Sequence, residues 1–444
     1  MSLEQIELGN IIRKKRKSLG LTLNDLAGDN ISVPTISNIE RGVVHNVSQE
    51  KIDYLLDKLG LDEQAIEQMK QSDVEEREAI EFELSVIRNL IETRVFDIAR
   101  ERILALEKQD VIHHHEGLSA QLQLAKGHLY RRQDQWDRAA RAFRRVIQMS
   151  REAQLDSKMN LEAEAYCYLA QCALYHDEYE KALSYADKAL SALNREGDKP
   201  YLEGRIYYDK SVFHYYLEAY APAYECVQKA RETSLKAKDM RLVALSYNLE
   251  GNILKKQKMY NRATSLFKKA VDICTTHFPD RELASLLFLN MGDNYYNMKN
   301  YKEALRNFEV ALDLVKATKD KGMLGLVYSS FAEVYFDQGE YEKAEHFVDQ
   351  ALPLIKNRNN TKTILEYLQF LLVKAKLELR KGDIDAFLSV CEEGIRLAQK
   401  SKKFDKQKEF HFILAEYYDT IGNKEKFIQE TGNMYFVEKM RQGG

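Results

Sequence analysis

Nine apolar residues recur along the chain at spacings of 40 to 43: Ala99, Ala139, Ala182, Ala223, Ala263, Ala304, Ala344, Phe387 and Phe427. A period of that length predicts a stack of like units, each able to bury its apolar face only against its neighbours. Three residues ahead of the first seven marks stand Phe96, Trp136, Tyr179, Tyr220, Tyr260, Tyr301 and Tyr341. Twelve residues ahead of the second through eighth stand only small residues, Gly127, Ala170, Ser211, Gly251, Gly292, Ala332 and Ala375. Each unit therefore reads as two closely crossing helices around a short turn, as over 247–270, where the turn falls at Lys258 and Met259. Ala189, Ala230, Ala270, Ala311 and Ala351, seven residues after their marks, extend the apolar face of the second helix.

This pattern resembles tetratricopeptide repeats with enlarged units, the usual unit being about 34 residues. The 45% hydrophobic content and only five prolines in 444 residues suit long uninterrupted helices. A net charge of -3 gives no bulk attraction to nucleic acid or membrane, so any such partner must be argued locally. Cys167, Cys172, Cys226, Cys274 and Cys391 form no Cys-x-x-Cys pair and read as reduced core thiols. No apolar run reaches signal-peptide or membrane-span length, so a cytoplasmic protein without a membrane partner is expected.

Residues 1–70 leave the repeat. A basic amphipathic helix to about Ser18 is followed by Leu21-Thr22-Leu23-Asn24-Asp25-Leu26-Ala27 and by Ser32-Val33-Pro34-Thr35-Ile36-Ser37-Asn38-Ile39-Glu40-Arg41-Gly42. Thr22 is placed to cap one short helix, and Ser32 with Pro34 to start the next. Leu26, Ile36 and Ile39 supply the buried side. The stretch resembles the five-helix helix-turn-helix domain of phage-repressor-type regulators, except that Leu23 stands where such domains often carry Gln. That resemblance implies a second short helix in the major groove, with Val33, Pro34, Thr35, Ser37 and Asn38 toward the bases. Asn38 suits adenine. Arg13, Lys14, Lys15, Arg16, Lys17, Thr22 and Arg41 suit phosphates. Residues 1–70 hold nine Lys and Arg against eleven Asp and Glu, so one copy binds weakly and a dimer reading two half-sites is expected.

If the first helix of each unit lines a concave face, Asn248 and Asn252 share one helical side and suit a peptide backbone. The same register gives Gln171, Tyr208, Asp293 and Glu333, and one turn on Tyr215, Lys255, Tyr296 and Phe336. His128, Arg131 and Arg132 form a cationic end suited to a carboxylate.

The whole chain resembles the peptide-pheromone regulators of Gram-positive bacteria, the Rap, NprR, PlcR and PrgX family, in length closest to the NprR-like branch. The resemblance implies an all-α fold: a helix-turn-helix domain over 1–70, a linker over 71–78, a right-handed superhelical solenoid of about nine tetratricopeptide-like helix pairs over 79–427, and a C-terminal cap or dimerisation helix over 428–444. It implies a quorum-sensing transcriptional regulator that binds operator DNA, is switched by a short signalling peptide in the groove, and works as a homodimer or higher homo-oligomer. Two alternatives stand beside it. One is a response-regulator-binding protein or phosphatase of Rap type, acting near Ile80 to His115, with Gln109 or a neighbour orienting a water. The other is a peptide-independent repressor with a scaffold solenoid. From the residues themselves no enzyme, cofactor or metal is expected: there is no Gly-rich phosphate loop, and His113-His114-His115 lacks partners at ligand spacing.

Overall fold

The computed structural model describes residues 3–41, 48–109, 111–112, 115–318, 321–355, 361–401 and 403–441; Gly42, His113 and His114 lie outside them. Among the described residues the chain is helical, with a 3-10 turn at Ser157–Met159, one isolated bridge between Gly28 and Ile31, and no strand. It divides into two compact units, Met1–Gln133 and Asp134–Gly444.

The first unit holds α1 (Leu3–Ser18), α2 (Leu23–Leu26), α3 (Val33–Glu40), α4 (Gln49–Leu59), α5 (Glu63–Glu92), α6 (Phe96–Glu107) and α7 (Glu116–Arg132). The second opens with α8 (Trp136–Glu152). Helix pairs follow: α9 (Leu161–Tyr175) with α10 (Tyr179–Ala192), α11 (Leu202–Tyr216) with α12 (Tyr220–Lys236), α13 (Met240–Lys256) with α14 (Tyr260–His277), and α15 (Arg281–Asn297) with α16 (Tyr301–Thr318). The array ends with α17 (Lys321–Asp337) and α18 (Tyr341–Ile355), α19 (Thr361–Lys381) and α20 (Ile384–Lys400), and α21 (Phe404–Thr420) and α22 (Lys424–Arg441).

The sequence marks explain this packing. The seven alanine marks and Phe387 are fully buried, while Phe427 is half-buried. Each ring three residues earlier is the first residue of its helix. Gly251 and Gly292 sit where an aromatic from the paired helix crosses: a Cβ on Gly251 would meet the Phe267 ring at 2.6 Å, and one on Gly292 would collide with Phe308. Five residues before every mark the backbone turns left-handed, at Arg94, Asp134, Asp177, Glu218, Lys258 and Lys299 (φ between 58° and 64°) and then at Gly339, Gly382 and Gly422. That residue reverses the chain between the helices of a unit.

Boundaries differ from the sequence expectation. Residues 71–78 are not a break but the middle of α5, whose 30 residues run without interruption. Residue 428 likewise falls inside α22. Polar composition marked the first place, and a solvent-facing helix carries the same composition as a linker; the second was marked by the end of the repeat pattern at Phe427, which does not report where a helix begins. All five cysteines are free, and all but the half-buried Cys226 are buried. No helix among the described residues is long and apolar enough to cross a membrane.

Candidate functional site

Two sites emerge, one in each unit. In the first, Ile11, Ile12, Leu26, Ile31, Ile36, Ile39, Leu55, Leu59 and Leu61 form a small core under α2 and α3. Gly9 on α1 lets the helix approach the Ile39 carbonyl. Leu23 packs onto this core instead of offering an amide. Thr22 caps α2 through a reciprocal box: its hydroxyl accepts from the Asp25 backbone N–H, and its own N–H donates to the Asp25 carboxylate at 2.7 Å. Ser32 stands at the N-cap of α3 without a side-chain cap bond; its hydroxyl instead pairs with that of Thr35 at 2.9 Å.

Pro34 is exposed, and Val33, Thr35, Ser37 and Asn38 are partly exposed along α3. Arg41 donates to the Asn38 side-chain oxygen at 3.0 Å and to the Ser37 carbonyl at 3.1 Å, which aims the Asn38 amide. Among the basic residues, Arg13, Lys15 and Lys17 are partly or fully exposed on α1. Lys14 is held by Asp73 at 2.5 Å and Glu76 at 2.8 Å on α5. Arg16 departs from the phosphate role: its guanidinium forks onto buried Glu40 at 2.6 and 2.8 Å and bonds the Leu21 carbonyl. A fixed, water-poor ion pair of this kind ties α1 to the end of α3.

In the second unit the first helices of successive pairs pack on one another, whereas successive second helices do not approach to that degree. The first helices therefore line the tighter, inner side of the curve. Along that side polar groups are bonded from unit to unit. Gln171 donates to Asp209 at 2.7 Å, and Asp209 also faces Arg205 at 3.3 Å and the Cys167 thiol at 3.5 Å. Asn290 donates to the Asn248 side-chain oxygen at 2.8 Å. Lys255 faces Asp293 at 3.8 Å, and Ser330 donates to Asp293 at 3.4 Å. Gln369 donates to Glu333 and accepts from Lys406. Tyr296 donates to Asp337 at 3.0 Å, and Tyr215 meets Tyr216 and Tyr220 edge-on. Phe336 packs edge-on against Tyr341.

Burial dominates the titration behaviour of this row. It pushes the Glu333 carboxyl up to about 7, with nearby Asp293 adding to the rise and Gln369, Lys406 and Lys376 opposing it. It raises Asp293 and lowers Lys255, each shift being opposed by the other's charge. The Tyr208 hydroxyl is pushed up to about 12. Water still reaches the row, since Asp293 keeps 35% and Lys255 15% of its side-chain surface. The arrangement is a desolvated but open groove.

The expected hooks thus divide. Gln171 and Asn248 are buried and already bonded, which removes part of their capacity for a ligand. Asn252, one turn on, is partly exposed and makes no side-chain hydrogen bond among the described residues. His128, Arg131 and Arg132 stand on α7 in the other unit. His128 is buried there, and Arg132 is fixed by the Glu92 carboxylate at 2.5 Å and its carbonyl at 3.2 Å. Sequence reasoning missed Asp209, Asn290 and Ser330, the partners in the row. Their signal was present: each is a polar residue two places before a small crossing residue.

Comparison with known proteins agrees with this architecture. Residues 12–66 match a helix-turn-helix family, and residues 124–197, 244–277 and 281–357 match tetratricopeptide-repeat families. Residues 333–421 match the family of anaphase-promoting complex subunit 5. The chain therefore joins a helix-turn-helix domain to a tetratricopeptide-repeat solenoid. Its fold is similar to that of a Rap protein in complex with competence and sporulation factor (TM-score 0.61, 14% identity), the alignment covering 82% of this chain and 99% of that one. The apo form of RapI is similar over the same shares, with TM-score 0.60 and 15% identity. A mitochondrial tetratricopeptide repeat protein 19 homolog of Drosophila melanogaster is 23% identical over 51% of this chain, which spans 64% of that relative's length.

Proposed function

We propose that this protein is a cytoplasmic transcriptional regulator of the peptide-pheromone type, nearest the NprR-like members of its family. It binds operator DNA through α3 and is switched by a short signalling peptide held along the inner row of the second unit. The observation that carries this reading is Asn252: an amide without a bonding partner among the described residues, between the Asn248–Asn290 link and the Lys255–Asp293 pair. An amide there offers one donor and one acceptor to an extended backbone without demanding a particular side chain. The Rap structure complexed with competence and sporulation factor supports a peptide as the ligand of this kind of fold. On the DNA side, Asn38 and Thr35 read base edges, Arg13, Lys15 and Lys17 meet phosphates, and two copies read two half-sites.

Peptide must favour one arrangement of the repeats over another to act as a switch. The test is operator binding by the purified chain with and without a library of short peptides, beside Asn252→Ala. The expected result is a peptide that shifts DNA affinity in the wild type and fails in the variant. Operator binding that no peptide alters refutes the switch and leaves a docking scaffold, with response regulators the next partners to assay.

A further inference from the structure

The second helices of the units share one register, so each unit is a control for the others. Two and five residues after the apolar mark, Ser184 stands with Asp187, Glu225 with Gln228, Arg306 with Glu309 and Ser389 with Glu392. Only the unit marked by Ala139 places Lys or Arg at both positions, with Arg141 and Arg144. They belong to α8, where the run from Arg138 to Arg145 holds four arginines and no acid. Like charges three or four residues apart on a helix repel, so this run is a local cost that the repeat does not require.

Arg141 and Arg144 line a cleft of about 260 Å³ between α8, α9 and α10. Leu169 and Ala173, both buried, give it an apolar wall on α9. The remaining charged groups of the cleft have partners: Lys181 holds Glu178 at 2.7 Å, and His176 stands 3.5 Å from Asp137. The bond to Glu178 raises the pKa of the Lys181 ammonium, while the charge of Arg144 acts against the rise. The neighbouring arginines turn elsewhere, Arg138 to Gln135 at 3.0 Å and Arg145 to Glu152 at 4.0 Å. Arg141 and Arg144 make no hydrogen bond or ion pair among the described residues. The cleft therefore holds two guanidinium groups with no anion of their own.

A carboxylate answers one guanidinium, whereas a phosphate group brings up to two charges and three acceptor oxygens, enough for both forks. A second hollow adjoins the cleft, sharing Asp137, Arg141 and His176, and is lined by Trp136, which stacks on Tyr175 at 4.5 Å. An aromatic wall beside a phosphate site suits a ring carried by the same molecule. We infer that this cleft binds a phosphorylated small molecule, its phosphate held by Arg141 and Arg144 and its organic part lying toward Trp136. The site goes beyond the regulatory reading and does not rest on it, since no residue of the inner row lines the cleft.

Trp136 is the only tryptophan of the chain, so its fluorescence reports on the site. The test titrates the full chain with inorganic phosphate, pyrophosphate, adenosine diphosphate and a phosphoserine peptide at fixed ionic strength, read by Trp136 emission and independently by calorimetry. Adenosine diphosphate and pyrophosphate are expected to bind saturably, the former more tightly. Arg141→Gln and Arg144→Gln should each weaken both by about 10-fold, while Arg145→Gln leaves them unchanged and circular dichroism is the same in all three variants. Three results overturn the proposal: no saturable binding at millimolar ligand, an equal loss with Arg145→Gln, which would reveal diffuse attraction to a basic helix, or a phosphoserine peptide that binds more tightly than adenosine diphosphate. Adenosine diphosphate binding no more tightly than pyrophosphate overturns the part given to Trp136.

Discussion

At the scale of single residues, the groove is set by which side chains the repeats desolvate. Glu333 has its folded-state carboxyl at about 7 against an ordinary value of 4.5, so the fold favours its protonated form. The sign follows directly: any stabilising effect is present below about 4.5 and is lost as pH rises toward 7. Glu333→Gln should remove that part of the pH slope, read as urea midpoints at about pH 5 and pH 8; identical slopes in variant and wild type would contradict the burial argument. The small residues behave differently, because their constraint is steric. Gly251→Ala pushes a methyl into the Phe267 ring and should cost about 1–3 kcal/mol in chemical denaturation. These crossing positions were legible from sequence, since seven successive units repeat them. The bonding of Gln171 and Asn248 was not, because a polar residue on an inner face has the same identity whether it waits for a ligand or bonds the next unit.

At the scale of the element, the turn between paired helices is the least expected regularity. Its left-handed residue is glycine in the last three units and a residue with a side chain in the first six. A left-handed conformation costs a residue with a Cβ roughly 1–2 kcal/mol, part of which glycine returns as unfolded-chain entropy. Lys258→Gly and Lys299→Gly should each therefore stabilise the array by about 0.5 kcal/mol, visible as raised urea midpoints. Lowered midpoints would show that the lysine stems contribute more than the turn costs. The helix pairs themselves were readable from the marks. The continuity of α5 through residues 71–78 was not, because polarity distinguishes exposed from buried and says little about helix from coil.

At the scale of the whole molecule, the second unit returns on itself. Lys403, just ahead of α21, reaches the turn between α9 and α10, with its ammonium 3.0 Å from the Tyr179 hydroxyl and 3.5 Å from the Asp177 carboxylate. It also lies 5.6 Å from the centre of the Tyr179 ring, which stacks on Tyr216. No 41-residue pattern predicts a contact between units so distant in the chain, since the period describes only nearest neighbours. Lys403→Ala should leave global stability within about 1 kcal/mol, as a partly buried ion pair at 3.5 Å whose Asp177 side still meets water contributes little net. Amide exchange should nevertheless quicken at 177–179 and 403–407; unchanged exchange at both would show that the contact restrains nothing. An untied coil of like units stretches by sharing a small strain among all of them. A coil fastened near both ends has to break its fastening first, so its compliance has a threshold, and a ligand working on the middle must exceed one local bond before the whole can lengthen.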